Sequence, residues 1–196
     1  MPMGRTRREF LGWLGALAVL GGERRWAAGA PPACAPTPSQ TEGPYFKAGA
    51  PRRSSLLEPG VDGVRLTVAG TVRRTDCAPV AGARLDFWQA DAAGRYDNTG
   101  FRLRGHQLTG ADGRYRLETV VPGLYPGRTR HLHVRVEAPG HPVLTTQLYF
   151  PDEPGNRRDG IFRPALVMPV RDGEGGKQAV FDFVLADRSA SAGPAG

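Results

Sequence analysis

Residues 131–150, with the sequence HLHVRVEAPGHPVLTTQLYF, determine the predicted fold. His131 to Ala138 and Val143 to Phe150 are short segments rich in β-branched and aromatic residues, and apolar and polar side chains mostly alternate along them. This alternation is typical of β-strands with one buried face. The Pro139-Gly140 pair between the segments is a turn signal. The stretch therefore predicts two strands separated by a turn.

The same pattern recurs on both sides of this stretch, and Gly, Pro or Asp residues mark turns between the segments. Outside the N-terminal region, no segment of helical length shows a 3.6-residue apolar period. Strand-sized segments at regular spacing predict an all-β fold, an antiparallel β-sandwich with long loops. The other predicted strands are Val64 to Arg73, Ala83 to Ala90, Arg114 to Val120 and Gln178 to Leu185.

Residues 1–30 have the three parts of an export signal: a basic start, the short apolar stretch Leu11 to Leu20, and the small-residue segment Ala27 to Ala30. The pair Arg7-Arg8, followed closely by Phe and Leu, resembles a twin-arginine signal. An ordinary secretion signal and an uncleaved anchor are the alternatives. The apolar stretch is short for a bilayer span, so we expect a periplasmic or extracellular protein without a stable membrane anchor.

The remaining chain is long enough for one domain, predicted over residues 31–188, with a disordered tail at 189–196. Its first part, as far as Pro59, is rich in Pro, Gly, Ser and Thr and predicts an extended arm that wraps a core. An oxidising compartment favours a disulfide between Cys34 and Cys77. Two free thiols are the alternative.

The formal charge of +7 raises the question of nucleic-acid binding. Five of the 26 Lys and Arg residues and two of the 19 Asp and Glu residues lie in residues 1–30, and the remainder carries a net charge of +4. Most of the remaining arginines alternate with apolar residues along the predicted strands, as on solvated outer faces. The chain is therefore not expected to bind nucleic acid.

The His131-Leu132-His133 triplet lies at the start of a predicted strand. A spacing of two places both imidazoles on one sheet face, about 7 Å apart at Cα, which suits two ligands of one metal ion. Exposed strands also carry this pattern, so the pair alone does not decide. Tyr125 lies just upstream in a turn-rich loop able to fold back over the strand. With no Asp or Glu close by, phenols are the local oxygen donors.

Four motifs follow one another along the chain: Thr37 to Phe46 (TPSQTEGPYF), Pro79 to Tyr96 (PVAGARLDFWQADAAGRY), Gly110 to His133 (GADGRYRLETVVPGLYPGRTRHLH) and Thr145 to Phe150 (TTQLYF). Together they resemble the intradiol ring-cleaving dioxygenases, the family of catechol and protocatechuate dioxygenases. The resemblance implies cleavage of a catechol-type ring by O2 to a muconate-type diacid, with one non-haem Fe(III) ion per chain. The implied metal ligands are Tyr96, Tyr125, His131 and His133.

The resemblance also implies roles for neighbouring residues. Tyr125 matches the ligand that leaves when substrate binds and can then take a substrate proton. Arg128 matches an arginine that stabilises negative charge developing on the ring, and Arg130 competes for this role because the loop after Tyr125 is short. Gln147 matches a glutamine that orients a ligand or the substrate.

The other aromatic and imidazole side chains are predicted to have no part in the chemistry. Tyr115 repeats the Gly-Arg-Tyr triplet of residues 94–96, but it alternates with Leu117 in a strand and is expected in the core. Trp88 and Tyr149 are expected to be core aromatics, and His106 and His141 surface residues.

Two other classes of protein remain as alternatives. One is a non-catalytic transthyretin-like or carbohydrate-binding sandwich, and the other is a zinc or copper protein built on the histidine pair. The identity of the catechol and the oligomeric state are left open.

Overall fold

The computed structural model describes residues 33–188, in which nine strands form two sheets. The predicted signal and the predicted tail lie outside these residues. Two 3-10 helices, Pro154–Arg157 and Pro164–Leu166, accompany the strands. In this part of the chain no helix is long and apolar enough to cross a membrane. The strands are β1 Arg65–Arg74, β2 Arg84–Trp88, β3 Arg104–Leu108, β4 Arg114–Val120, β5 His131–Glu137, β6 Leu144–Tyr149, β7 Val170–Gly173, β8 Gly176–Val180 and β9 Phe183–Leu185.

One sheet has the order β3-β2-β5-β6 and is antiparallel throughout. The other has the order β4-β1-β8-β7, with β9 pairing beside β8 along the end of β1. The predicted all-β fold with two sheets is confirmed. One feature differs from the prediction: β1 pairs in parallel with both β8 and β9. Parallel neighbours need a long connection, and most of the domain lies between β1 and β8.

All six predicted strands are present, the last one divided into β8 and β9 around Phe181 and Asp182. Here the Phe181 carbonyl approaches β1 so closely that a Cβ at Gly70 would lie 1.8 Å from its oxygen. Strands β3 and β7 were not predicted from the sequence. Strand β3 contains Gly105. Because glycine has no side chain, Arg53 and Leu56 pack so closely against it that a Cβ there would lie 2.8 Å from each of them. Strand β7 has four residues, too few for a periodicity to appear.

The hydrophobic core lies between the two sheets. Leu132, Val134 and Val136 on β5 belong to it, so the two histidines of that strand lie on the opposite, outer face of the four-stranded sheet. Tyr115 also packs in this core, as predicted. Other members of the core include Leu66, Val68, Val72, Leu85, Phe87, Leu117, Leu148, Phe183 and Leu185.

The N-terminal arm, residues 33–47, first follows the edge strand β6, where Gln40 N–H donates to the Thr145 carbonyl at 2.7 Å and Thr146 Oγ1 donates to the Pro38 carbonyl at 2.8 Å. Its later residues cross the outer face of the four-stranded sheet, where a Cβ at Gly43 would lie 3.4 Å from the His133 ring and Phe46 packs on Trp88. Cys34 at the start of the arm forms a disulfide with Cys77 beyond β1, so the pairing expected in an oxidising compartment is present. The arm therefore buries a sheet face that would otherwise meet solvent.

Candidate metal centre

The two histidines of β5 converge on one point of this covered face. In the sheet register, His131 lies opposite Tyr149, and His133 lies between Trp88 and Gln147. Both imidazoles are buried, and their Nε2 atoms are 3.2 Å apart. Two nitrogens bound at right angles to one metal ion, each at about 2.1 Å, would be about 3 Å apart. The pair is therefore spaced as two ligands of a single ion.

Burial keeps both imidazoles neutral. It lowers the pKa of His131 to about 4, partly opposed by the hydrogen bond to the Thr129 carbonyl. Burial, together with unfavourable electrostatic interactions with His131 and with the Arg128 charge, holds the pKa of His133 well below its usual range. His131 Nδ1 lies 2.6 Å from the Thr129 carbonyl and must carry the proton, which leaves the Nε2 lone pair free to bind a cation.

Tyr96 reaches the histidines from the loop after β2, and its hydroxyl lies 3.3 Å from His131 Nε2. The Asp91 carboxylate shapes this loop by accepting hydrogen bonds from the backbone of residues 93 and 95 at 2.9 Å. Gly94, at φ +81°, fits against the loop that carries Tyr125, because a Cβ there would lie 2.1 Å from the Leu124 carbonyl oxygen. The two tyrosine loops thus support each other.

Tyr125 meets a third tyrosine that the sequence analysis gave no role. The hydroxyls of Tyr45 and Tyr125 are 2.8 Å apart, and the Tyr45 ring stacks on Tyr96 at 4.2 Å between centroids. Tyr45 comes from the arm and belongs to the TPSQTEGPYF motif, which is the signal that could have identified it. Because it contacts both predicted tyrosine ligands, the arm contributes directly to the site.

Buried Arg104 fastens the arm to the Tyr96 loop and is a second residue that the sequence analysis missed. Its guanidinium donates to the Asp97 carbonyl at 2.9 Å and to the Tyr45 carbonyl. Burial raises the pKa of Tyr96 well above its usual value, although the Arg128 and Arg104 charges oppose this effect. Without a cation nearby, the Tyr96 phenol therefore keeps its proton at neutral pH.

The structure separates the two candidate arginines. Arg128 Nη2 donates to Gln147 Oε1 at 2.6 Å, and its Nε donates to Asp159 at 2.8 Å. Arg130 instead bonds to Glu153 at 2.6 Å and to the Pro122 carbonyl. Arg128 therefore lies beside the histidine pair through its contact with Gln147, which faces His133 across the sheet.

The donor set fits a hard trivalent cation. Two neutral imidazoles and the Tyr96 phenol meet here, and the Tyr125 ring lies 5.9 Å from the Tyr96 ring. The described residues hold no group of three or more His, Cys, Asp or Glu suited to a metal, so phenols are the anionic donors at this point. Phenolate oxygen is a hard anionic donor that suits ferric iron, and a cation at this point would make the phenol protons easy to lose. Tyr96, Tyr125, His131 and His133 are thus able to hold a ferric ion.

The remaining predictions have mixed outcomes. Trp88 and Tyr149 are buried as predicted, but both lie beside the site: Trp88 stacks on His133, and the Tyr149 hydroxyl donates to Gln40 Oε1 at 2.8 Å. His106 and His141 are half-buried instead of freely exposed. Their Nδ1 atoms bond to backbone carbonyls, at 2.7 Å and 3.0 Å, which accounts for their partial burial.

Comparison with known proteins confirms the predicted resemblance. The family model described as dioxygenase matches residues 41–187. A solved structure, the dioxygenase domain of a dioxygenase carbohydrate-binding protein fusion from Streptomyces sp. SirexAA-E, is 59% identical with a TM-score of 0.76. The match covers 78% of this chain and 99% of that one. An intradiol ring-cleavage dioxygenase from Tetranychus urticae is 25% identical with a TM-score of 0.71, covering 78% of this chain and 95% of that one.

Curated relatives give the same result. The hydroxyquinol 1,2-dioxygenase of Rhizobium sp. (strain MTP-10005) is 36% identical over 61% of this chain and 50% of its own length. The chlorocatechol 1,2-dioxygenase of Pseudomonas sp. (strain P51) is 33% identical over 74% of this chain and 68% of its own length. The chain thus spans about half to two thirds of the length of these relatives.

Proposed function

Because the chain belongs to the intradiol ring-cleaving dioxygenase family, we propose that it cleaves a catechol-type ring with O2 between the two hydroxylated carbons, giving a muconate-type diacid. The observation that carries the proposal is the convergence of the Tyr96 hydroxyl and the Nε2 atoms of His131 and His133 on one point, with the Tyr125 ring 5.9 Å from the Tyr96 ring. These four side chains would hold one non-haem ferric ion. When bound, that ion supplies a Lewis acid to which both oxygens of a catechol can bind.

The protein's own groups divide the remaining work. The histidines stay neutral, since burial lowers their pKa values, and the Thr129 carbonyl orients His131. Tyr125 is only partly buried, and its hydroxyl already has a partner in Tyr45. Tyr125 Oη can therefore remain hydrogen-bonded to Tyr45 when substrate enters and hold one of the substrate protons.

Arg128 and Gln147 are proposed to act on the ring and on its orientation. The Arg128 guanidinium is held from two sides, by Asp159 and by Gln147, so it is already placed before negative charge develops. A fixed cation in a water-poor site stabilises such charge more strongly than a mobile one. Gln147 is itself fixed, because its Nε2 donates to the Thr41 carbonyl at 3.0 Å.

The proposal is tested with iron-loaded protein under anaerobic conditions. A visible tyrosinate-to-iron absorption band is expected, and it should shift when catechol is added. Admitting O2 should then release a ring-opened diacid that is identified by mass. Bound catechol that is not converted in O2 would refute the dioxygenase activity while leaving the metal site intact.

The repeated Gly-Arg-Tyr triplet supplies a matched pair of variants. Tyr96→Phe should remove most of the visible band and weaken iron binding, whereas Tyr115→Phe removes a phenol hydroxyl from the core and should leave the band unchanged. A zinc or copper protein would instead contain little iron by elemental analysis, and Tyr96→Phe would not change its metal content. A non-catalytic sandwich would stay colourless after iron loading.

We also propose that the protein is exported and acts in the periplasm or outside the cell, with residues 1–30 as a twin-arginine signal. The Cys34–Cys77 disulfide supports this proposal, because such bonds persist in oxidising compartments. Cell fractionation of the wild-type protein and of a variant with Arg7 and Arg8 replaced by Lys tests it. Retention of the variant in the cytoplasm is expected, and equal export of both proteins would refute the twin-arginine route.

A further inference from the structure

The two histidines of the site are oriented by different means. His131 Nδ1 is fixed by the Thr129 carbonyl at 2.6 Å. His133 Nδ1 is buried and has no hydrogen-bond partner within residues 33–188. A metal-binding histidine usually has its second nitrogen fixed by a hydrogen bond, which sets the plane of the ring. The plane of His133 therefore has to be set by something else.

Trp88 occupies the position that could do this. Its indole lies nearly parallel to the His133 ring, at 9° and 4.8 Å between centroids, and the two residues are paired across β2 and β5. Phe46 of the arm packs edge-on against the indole at 5.0 Å, and the Arg135 guanidinium lies 5.4 Å from the centre of the Phe46 ring. Phe46 of the arm thus also packs against the indole and helps to fix its position.

The contact between Trp88 and His133 is made by ring faces. The indole Nε1 has no hydrogen-bond partner among the described residues, so Trp88 does not act on the site as a hydrogen-bond donor. What it offers His133 is a flat, electron-rich surface. An imidazole whose Nε2 donates to a cation becomes electron-poor, and an indole face attracts an electron-poor ring more strongly than a neutral one. The stack should therefore favour the metal-bound form of His133.

We propose that Trp88 is a positioning residue of the metal centre, which holds the plane of His133 by stacking and raises the affinity of the site for iron. The inference rests on the proposed function, because it assumes that His133 is a metal ligand. It assigns Trp88 a role in the site in addition to its place among the buried aromatics.

Three variants separate this role from a general contribution to folding. Trp88→Leu removes the flat ring, and Trp88→Phe keeps a smaller one. Phe87→Leu is the matched control, because Phe87 is the preceding residue of β2, equally buried at 2% exposure, and faces the core instead of the site. Trp88→Met replaces the leucine variant if that variant does not fold.

The affinity for ferric iron is measured by competition with a chelator, together with the visible band and the urea unfolding of the metal-free protein. Loss of the stack should weaken iron binding by about two- to tenfold in Trp88→Leu and shift the band, with most of the affinity restored in Trp88→Phe. Phe87→Leu should lose stability and keep its iron affinity within about twofold of wild type.

Wild-type affinity in Trp88→Leu would overturn the inference, as would an equal loss in Trp88→Leu and Phe87→Leu. An equal loss in Trp88→Phe and Trp88→Leu would also overturn it, because the ring face would then not be the important feature. If the wild-type protein forms no tyrosinate band with iron, the proposed function itself fails and the role of Trp88 fails with it. A coloured wild-type protein with an unaffected leucine variant contradicts the Trp88 role alone.

Discussion

Replacing Asp159 with asparagine is expected to release Arg128 from the position that the proposed chemistry requires. The Asp159 side chain is 2% exposed, and its carboxylate accepts hydrogen bonds from Arg128 Nε at 2.8 Å and from the Thr129 backbone at 3.0 Å. Removing one partner of a buried ion pair costs about 3–5 kcal/mol. Arg128 is 20% exposed and keeps its bond to Gln147, so we expect a loss of about 2 kcal/mol in the free energy of unfolding.

The loss of activity should be larger than the loss of stability suggests. A misplacement of about 1 Å at a positioned group can lower the rate by about a hundredfold, so kcat for ring cleavage should fall by about ten- to a hundredfold. Because Arg128 is proposed to act on developing charge, KM should change less than kcat. Steady-state kinetics of ring cleavage and urea unfolding of the same preparations measure both quantities.

Glu153→Gln is the control, since Glu153 holds Arg130 at 2.6 Å as Asp159 holds Arg128, although the Glu153 side chain is more exposed, at 20%. Its stability should also fall, but its kcat should stay within about twofold of wild type. If Glu153→Gln loses activity and Asp159→Asn does not, Arg130 is the arginine that acts on the ring, and the reasoning from the Arg128–Gln147 contact is wrong.

The pH dependence of stability gives a second check on Asp159. Burial alone would raise the pKa of its carboxyl, but hydrogen bonds from Thr129, Arg128 and Ile161 outweigh burial and hold the pKa below its usual value. The group therefore stabilises the fold above the unfolded-state pKa of about 4, and this contribution is lost as the pH falls through the folded-state pKa. The difference in unfolding free energy between wild type and Asp159→Asn should shrink below about pH 4.

Three further changes have expected outcomes. Replacing Cys34 and Cys77 with serine should lower the free energy of unfolding by about 4 kcal/mol in urea, because the bridge closes a loop with a sequence separation of 43 residues. Burial lowers the pKa of His131 to about 4, so the unfolded chain binds more protons than the folded one between about pH 6.5 and pH 4. As the pH falls through this range, the free energy of unfolding of the metal-free protein, measured in urea, should decrease by up to about 1.4 kcal/mol per pH unit because of this residue. Tyr45→Phe removes the hydroxyl that bonds Tyr125 and should weaken anaerobic catechol binding by about two- to tenfold in a spectral titration.

The regular strands were predictable because their side chains alternate on a sheet with one face in the core. Strand β5 shows where this rule reaches its limit, since its first four residues are all buried. Leu132 and Val134 are buried by the core, and His131 and His133 are buried by the arm and the loops. Alternation indicated which face each residue takes, but it could not reveal that the outer face is covered.

The proposed tyrosine ligands could not be derived from local pattern, because Tyr96 and Tyr115 end identical triplets. What separates them is the chain around each one. Tyr115 continues a regular strand, whereas Tyr96 follows a loop shaped by the Asp91 carboxylate and by the fit of Gly94 against the Tyr125 loop. These contacts join segments that are distant in sequence, so only the resemblance to a family could identify Tyr96.

The arm contributes to the proposed site and not to the hydrophobic core. The hydrophobic core cluster contains no residue of segment 33–47, so the sandwich does not depend on this part of the chain for its buried apolar contacts. The proposed site does depend on it, because Tyr45 contacts both proposed tyrosine ligands and Phe46 packs on the indole behind His133. The disulfide at the start of the arm and the Arg104 bond to Tyr45 near its end hold this cover in place. Changes that loosen the arm should therefore reduce iron binding and catalysis before they unfold the domain.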